Sequence, residues 1–190
     1  VRYGLGCGVG EVQGANAGGE GLRKKWVQGG PGWNAGAGPA LVLGAGGAAG
    51  AVLSALIDAG VPEIILVNRT RARAENLGHV FGRRVVVADW VDAEAASMAV
   101  ATVVNTTSLG MVGNDPLTFS CSVLRSDCLV TDIVYNPLET QLLADARKRG
   151  CSVVDGLGML LHQAVPGFEA WFGVRPQVDG VLRNKVLAEL

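Results

Sequence analysis

The feature that most constrains this chain is a glycine turn, Gly44-Ala45-Gly46-Gly47-Ala48-Ala49, set between two apolar runs. Leu41-Val42-Leu43 leads into it and Ala51-Val52-Leu53 follows. A short strand, a glycine turn and then a helix make the context in which G-x-G-x-x-G/A binds a dinucleotide. Gly44 permits the tight turn, Gly46 lets the backbone approach a pyrophosphate, and Ala49 is small enough for helix to pack on strand. The N–H groups and dipole of that helix then face the anion. Residues 26 to 57 carry no charge, which gives the run from Ala40 to Ile57 the length of a membrane span. Gly44, Gly46, Gly47 and Gly50 interrupt it, so strand, turn and helix explain it better.

Downstream the texture is regular. Apolar, β-rich runs recur at Leu41 to Leu43, Ile64 to Val67, Arg84 to Ala88, Thr102 to Asn105, Cys128 to Ile133 and Ser152 to Val154. Most are continuously apolar, as suits strands covered on both faces of a parallel sheet. Helix-like stretches separate them at Ala48 to Ala59, Arg71 to Phe81, Ala93 to Val100 and Leu138 to Arg149. This alternation predicts an α/β fold: a doubly wound, mostly parallel, Rossmann-type sheet of about six strands. Two C-terminal helices follow, near Leu157 to Trp171 and Val178 to Leu190. Pro166 is expected to kink or interrupt the first. In the last, the stripe of Val178, Val181, Leu182 and Val186 is expected to be partly exposed, or buried by self-association into a homodimer.

The domain so predicted covers residues 37–190. Thirteen of the 28 glycines fall in the first 40 residues, so residues 1–36 read as a Gly-rich segment, mostly loop, because that much glycine is costly to order. Sixteen basic and seventeen acidic residues leave a net charge of -1, which predicts no broad attraction to nucleic acid or an anionic membrane. The cysteines at 7, 121, 128 and 151 contain no C-x-x-C pair, and only His79 and His162 could join them, so no metal site is predicted. They read as buried or indifferent thiols in a reducing, cytoplasmic compartment. Val1 to Gly10 lacks the charged and apolar regions of a secretory signal.

The end of the second strand of this domain bears on the choice of dinucleotide. An NAD site usually places Asp or Glu there, on the ribose hydroxyls. Here Asn68 is followed by Arg69-Thr70-Arg71-Ala72-Arg73. Asn does not repel a 2′-phosphate, Arg69 can stack on adenine and pair with the phosphate, and Arg73 lies one helical turn on. Thr70 is a good N-cap type, adding a second helix N-terminus. NADP is therefore favoured over NAD.

Three later segments also follow strands: Asn105-Thr106-Thr107-Ser108-Leu109-Gly110-Met111, the run from Asp132 to Thr140, and the run from Gly156 to Gln163. With GAGGA at 44–48, NRTRAR at 68–73, NTTSLGM at 105–111, DIVYNPLET at 132–140 and GLGMLLHQ at 156–163, the sequence resembles the shikimate dehydrogenase family, in its C-terminal NADP-binding domain. The resemblance covers about residues 37–190. It implies reduction of 3-dehydroshikimate to shikimate with NADPH, a step toward aromatic amino acids. It also implies that Gly44, Ala45, Gly46, Gly47 and Ala48 hold the pyrophosphate. Asn68, Arg69, Thr70 and Arg73 would hold the 2′-phosphate end. Ile133 and Gly156 would flank the nicotinamide with Met159 close by, and Tyr135 and Gln163 would reach the substrate.

The sequence departs from the family ahead of the glycine turn. The family has an N-terminal substrate domain with a catalytic Lys, whereas here about 40 residues precede the turn, with Lys24 and Lys25 the only lysines. The family's Asn-Thr-Asp-Gly has its nearest counterpart in Asn16-Ala17-Gly18-Gly19, where glycine stands for the Asp and can relay no proton. No catalytic residue is therefore assigned. By the resemblance, residues 1–36 read as a remnant of the family's interdomain linker, and the expectation is a cofactor-binding domain inactive on its own, able to take 3-dehydroshikimate if a substrate domain is supplied. The alternatives are a non-catalytic NADP(H)-binding module and a quinate/shikimate dehydrogenase relative.

Overall fold

The computed structural model describes residues 2–6, 12–16, 22, 26, 27, 30 and 32–189. Its strands are β1 (Arg2–Gly6), β2 (Val12–Asn16), β3 (Ala40–Leu43), β4 (Ile64–Val67), β5 (Val85–Ala88), β6 (Thr102–Asn105), β7 (Leu129–Asp132) and β8 (Ser152–Val154). Helices α1 (Ala49–Ala59), α2 (Arg71–Phe81), α3 (Ala93–Ser97), α4 (Gln141–Lys148), α5 (Leu157–Phe172) and α6 (Gly180–Leu187) follow in chain order.

Strands β3 to β8 pair in parallel in the order β5-β4-β3-β6-β7-β8. This is the Rossmann-type order, with its switch point between β3 and β6. The continuous apolar runs follow from the layering. Ala40 and Val42 face one buried cluster, while Leu41 and Leu43 face the other. Residues alternate between faces along a strand, so both sets must be apolar when helices cover both sides. The register sets Leu43 beside Val67 and Asn105, and Asn105 beside Asp132. Four strand ends, with the turns that leave them, therefore share one edge of the sheet.

The uncharged run from Ala40 to Ile57 folds as β3, a turn and part of α1, and no helix among the described residues is long and apolar enough to cross a membrane. Cys121, Cys128 and Cys151 are free and buried, and burial pushes the Cys121 thiol up to about 11 and that of Cys128 to about 12. These thiols are accordingly poor nucleophiles. Cys7 lies outside the described residues.

Three expectations change. Residues 2–6 and 12–16 form an antiparallel ladder from Arg2 opposite Asn16 to Gly6 opposite Val12, rather than loop. Backbone pairing needs no apolar side chains, so a Gly-rich segment can still close a ladder. Helix α5 continues through Pro166. It is therefore not interrupted there, and Val165 and Gly167, on either side of the proline, are both buried. The last helix begins at Gly180 because the Asp179 side chain caps it, accepting from the Leu182 N–H at 2.8 Å. None of its residues is buried and Val181 is 66% exposed, in keeping with the expected exposure of that stripe.

Packing also reaches back before residue 37. Leu22 and Trp26 are buried in the same cluster as Val42, and Trp33 Nε1 donates to Thr102 Oγ1 at 3.0 Å. Lys24, Lys25 and Ala17 to Gly19 lie outside the described residues.

Candidate functional site

A cavity of about 710 Å³ opens at the shared strand edge, over the switch point. Its floor is the turn from Gly44 to Ala48, which lines it throughout. Gly44 has φ +105, and a Cβ there would stand 2.6 Å from Thr107 Cγ2, so no other residue fits. The Gly44 N–H donates to the Val67 carbonyl at 2.8 Å, and the Thr106 hydroxyl lies 2.9 Å from the Leu43 and Gly44 carbonyls. A Cβ at Gly46 or Gly47 would meet nothing within 4 Å, so that stretch of backbone faces open space. Helix α1 starts just beyond with no side-chain cap and no acidic residue in its first turn. Its positive end is thus left for an anion.

Arg69 and Arg73 line the cavity, and among the described residues no Asp or Glu does. Arg71 is drawn elsewhere: its guanidinium bonds Asp89 at 2.7 Å and Glu75 at 2.8 Å, which raise its pKa. Asn68 also lines the cavity, but its amide is committed on both sides. It accepts from the Ala45 N–H at 3.0 Å and donates to the Thr70 carbonyl at 2.8 Å. Thr70 occupies the N-cap position of α2 without a side-chain capping bond, contrary to expectation. Its ψ of 97° contrasts with 162° at Thr140, which does cap α4, and so its hydroxyl is not aimed at the first turn.

On the far side, Ile133, Val134 and Tyr135 line the cavity. Gly156 packs directly behind them, since a Cβ there would lie 2.3 Å from the Ile133 carbonyl oxygen. Met159 is buried in the core cluster against which Ile133 packs. Gln163 stands half-buried on α5. Thr70, Gly156, Met159 and Gln163 are therefore not in the cavity lining, while the other ten residues expected at a site are.

Sequence reasoning singled out the segment holding Thr106, Thr107, Ser108 and Leu109 without assigning these residues to the site, and it passed over Trp90; all five line the cavity. The first four belong to a motif following β6, and the strand order that seats β6 beside β3 is the signal that would have placed them. Trp90 follows β5, and nothing local marks it. Asp132, at the end of β7, is 1% exposed and held by Asn105, Val134 and Thr140. Burial pushes its carboxyl up to about 6 against these hydrogen bonds.

Comparison with known proteins gives two family matches. The profile described as "Shikimate / quinate 5-dehydrogenase" matches residues 34–112, and "Shikimate 5'-dehydrogenase C-terminal domain" matches residues 156–183. The chain is 52% identical over 178 residues to a shikimate dehydrogenase (NADP(+)) of Ruegeria sp., and 54% identical over 178 residues to that of Jannaschia sp.. Each alignment covers 94% of this chain but 64% of the relative, so the chain spans less than two thirds of their length. Among solved structures, quinate dehydrogenase from Corynebacterium glutamicum in complex with NAD superposes with a TM-score of 0.84 at 34% identity, over 94% of this chain and 64% of that one. Shikimate 5-dehydrogenase from Thermus thermophilus in complex with NADP(H) and shikimate gives 0.73 at 36% identity, over 87% and 60%.

Proposed function

From the premise that this chain belongs to the shikimate dehydrogenase family, matched through its C-terminal part, we propose that it provides the NADP(H)-binding portion of an enzyme that reduces 3-dehydroshikimate to shikimate. The observation that carries this reading is the charge of the cavity. Two arginines, Arg69 and Arg73, stand where β4 leaves the sheet, and among the described residues no carboxylate lines the site. A 2′-phosphate is attracted there, whereas an NAD site would place an acid on the ribose. The glycine turn and the uncapped end of α1 suit the pyrophosphate.

The bound nucleotide supplies a hydride, and the chain's residues orient it. Gly44 to Ala48 take the pyrophosphate. Arg69 and Arg73 take the 2′-phosphate, with Asn68 and Thr70 shaping that corner. Ile133 flanks the nicotinamide, backed by Gly156 and Met159, and Tyr135 reaches toward the substrate, with Gln163 on α5 beyond the cavity lining. Carbonyl reduction also needs a proton for the forming alkoxide. Among the described residues the cavity lining offers Tyr135 but no His, Lys, Asp or Glu, which supports a chain that holds the nucleotide without turning over. The likeness to quinate dehydrogenase favours a second reading, in which quinate is the alcohol. A homodimer belongs to the proposal as well, supported by exposed Val181 and by Phe168 and Phe172, whose rings lie 4.5 Å apart and tilted by 41° on the surface.

Calorimetry with NADPH and NADH tests the nucleotide reading, with NADPH expected to bind more tightly. Equal affinities, or none, would overturn it. Nucleotide oxidation with 3-dehydroshikimate, and reduction with shikimate or quinate, then tests turnover and substrate. Sedimentation as a strict monomer would remove the dimer.

A further inference from the structure

We infer that Asp132 is a positioning residue, whose single buried carboxylate ties together two loops lining the cavity and thereby sets the nicotinamide half of the site. The inference rests on the reading of that cavity as an NADP(H) site. Asp132 Oδ1 accepts from Asn105 Nδ2 at 2.9 Å and from the Val134 N–H at 2.9 Å. Its Oδ2 accepts from the Thr140 hydroxyl at 2.8 Å. Asn105 passes the connection on, because its Oδ1 accepts from the Thr107 N–H at 3.0 Å and the Thr107 hydroxyl at 2.7 Å. The Thr107 oxygen in turn accepts from the Leu109 N–H at 3.1 Å. One relay therefore runs from Val134 to Leu109, and both ends line the cavity.

The chemistry needs a carboxylate. Three donors converge on Asp132, and an ionised carboxylate is the side chain that accepts at both of its ends. None of these partners is a cation, and the hydrogen bonds offset its burial only in part. The relay touches the Thr107 and Val134 sides of the cavity. Arg69 and Arg73 are not part of it, so the phosphate-binding end of the site is independent.

The test uses Asp132→Ala and Asp132→Asn in the full chain, with NADPH and adenosine 2′-phosphate as separate ligands for calorimetry and amide exchange read at Thr107, Leu109 and Val134. Losing hydrogen bonds to a charged group predicts an NADPH Kd raised about tenfold or more in Asp132→Ala, with adenosine 2′-phosphate binding unchanged. Exchange at Thr107 and Val134 should accelerate together, although they lie on different loops. Asp132→Asn should fall between wild type and Asp132→Ala, since its oxygen still accepts from Asn105 and Val134. It also serves if the alanine variant does not fold. Equal losses for both ligands would mean a general structural role and overturn the inference, as would faster exchange at Val134 alone or unchanged NADPH affinity. Should wild type bind neither ligand, the functional reading fails, and the exchange pattern alone decides whether the clamp exists.

Discussion

The Asn68 side chain accepts a hydrogen bond from the Ala45 N–H at 3.0 Å, joining the end of β4 to the glycine turn that follows β3. The same amide donates to the Thr70 carbonyl, so it braces the turn and the start of α2 at once. An aspartate at this position could keep the first bond but not the second, and it would add a negative charge beside Arg69. Asn68→Asp is expected to lower the preference for NADPH over NADH by at least about tenfold, through repulsion of the 2′-phosphate. Dissociation constants for the two nucleotides check this, and an unchanged ratio would contradict it.

The arginines of one motif should differ in effect. Arg69→Ala is expected to weaken NADPH about tenfold or more with little change for NADH. Arg71→Ala should leave both near wild type, because Arg71 is engaged by Asp89 and Glu75. Titration of the two variants side by side separates them. A larger loss in Arg71→Ala would mean that those ion pairs open when the nucleotide binds.

Gly44→Ala combines a positive φ with a Cβ 2.6 Å from Thr107. Strain and overpacking together are expected to cost about 2 kcal/mol or more, read as a lower urea midpoint. NADPH binding should be lost as well.

Asp132 gives a pH dependence whose sign follows from burial. Its carboxyl is pushed from 3.8 up to about 6, so the folded chain binds this proton more tightly than the unfolded chain. Its contribution is fully present below about pH 4 and is lost as pH rises through about 6, up to about 3 kcal/mol in all. Urea unfolding of wild type and Asp132→Asn between pH 4 and pH 7 should show the difference between them shifting against wild type as pH rises. The opposite slope would mean that the hydrogen bonds outweigh desolvation.

Trp90 alone among the four tryptophans lines the cavity. NADPH is expected to quench tryptophan fluorescence in wild type but not in Trp90→Phe. Undiminished quenching in that variant would place the nucleotide elsewhere.

Much of the architecture was legible because it is written in local patterns. Short β-rich runs marked β4 and β6 at the bounds the fold adopts, and the spacing from Arg71 to Phe81 marked α2. The glycine turn announced itself because Gly44 must take a positive φ wherever the chain folds this way. Thr70 was misjudged because residue type alone does not set ψ. The β1–β2 ladder was missed because glycine carries no alternation to read.

What the sequence by itself determined is the kind of element at each stretch and the chemistry available at the turns: glycines, two arginines, a run of small hydroxyl residues. Only the tertiary structure decided which of these meet. Asn105 and Asp132 become neighbours through the parallel register of β6 and β7, and Thr107 reaches Gly44 because β6 lies beside β3. Arg71 leaves the site because Asp89, eighteen residues on, comes within 2.7 Å. Backbone periodicity is a local property that few residues specify. Pairing between distant side chains depends on sheet order and register, which follow from the packing of the whole core.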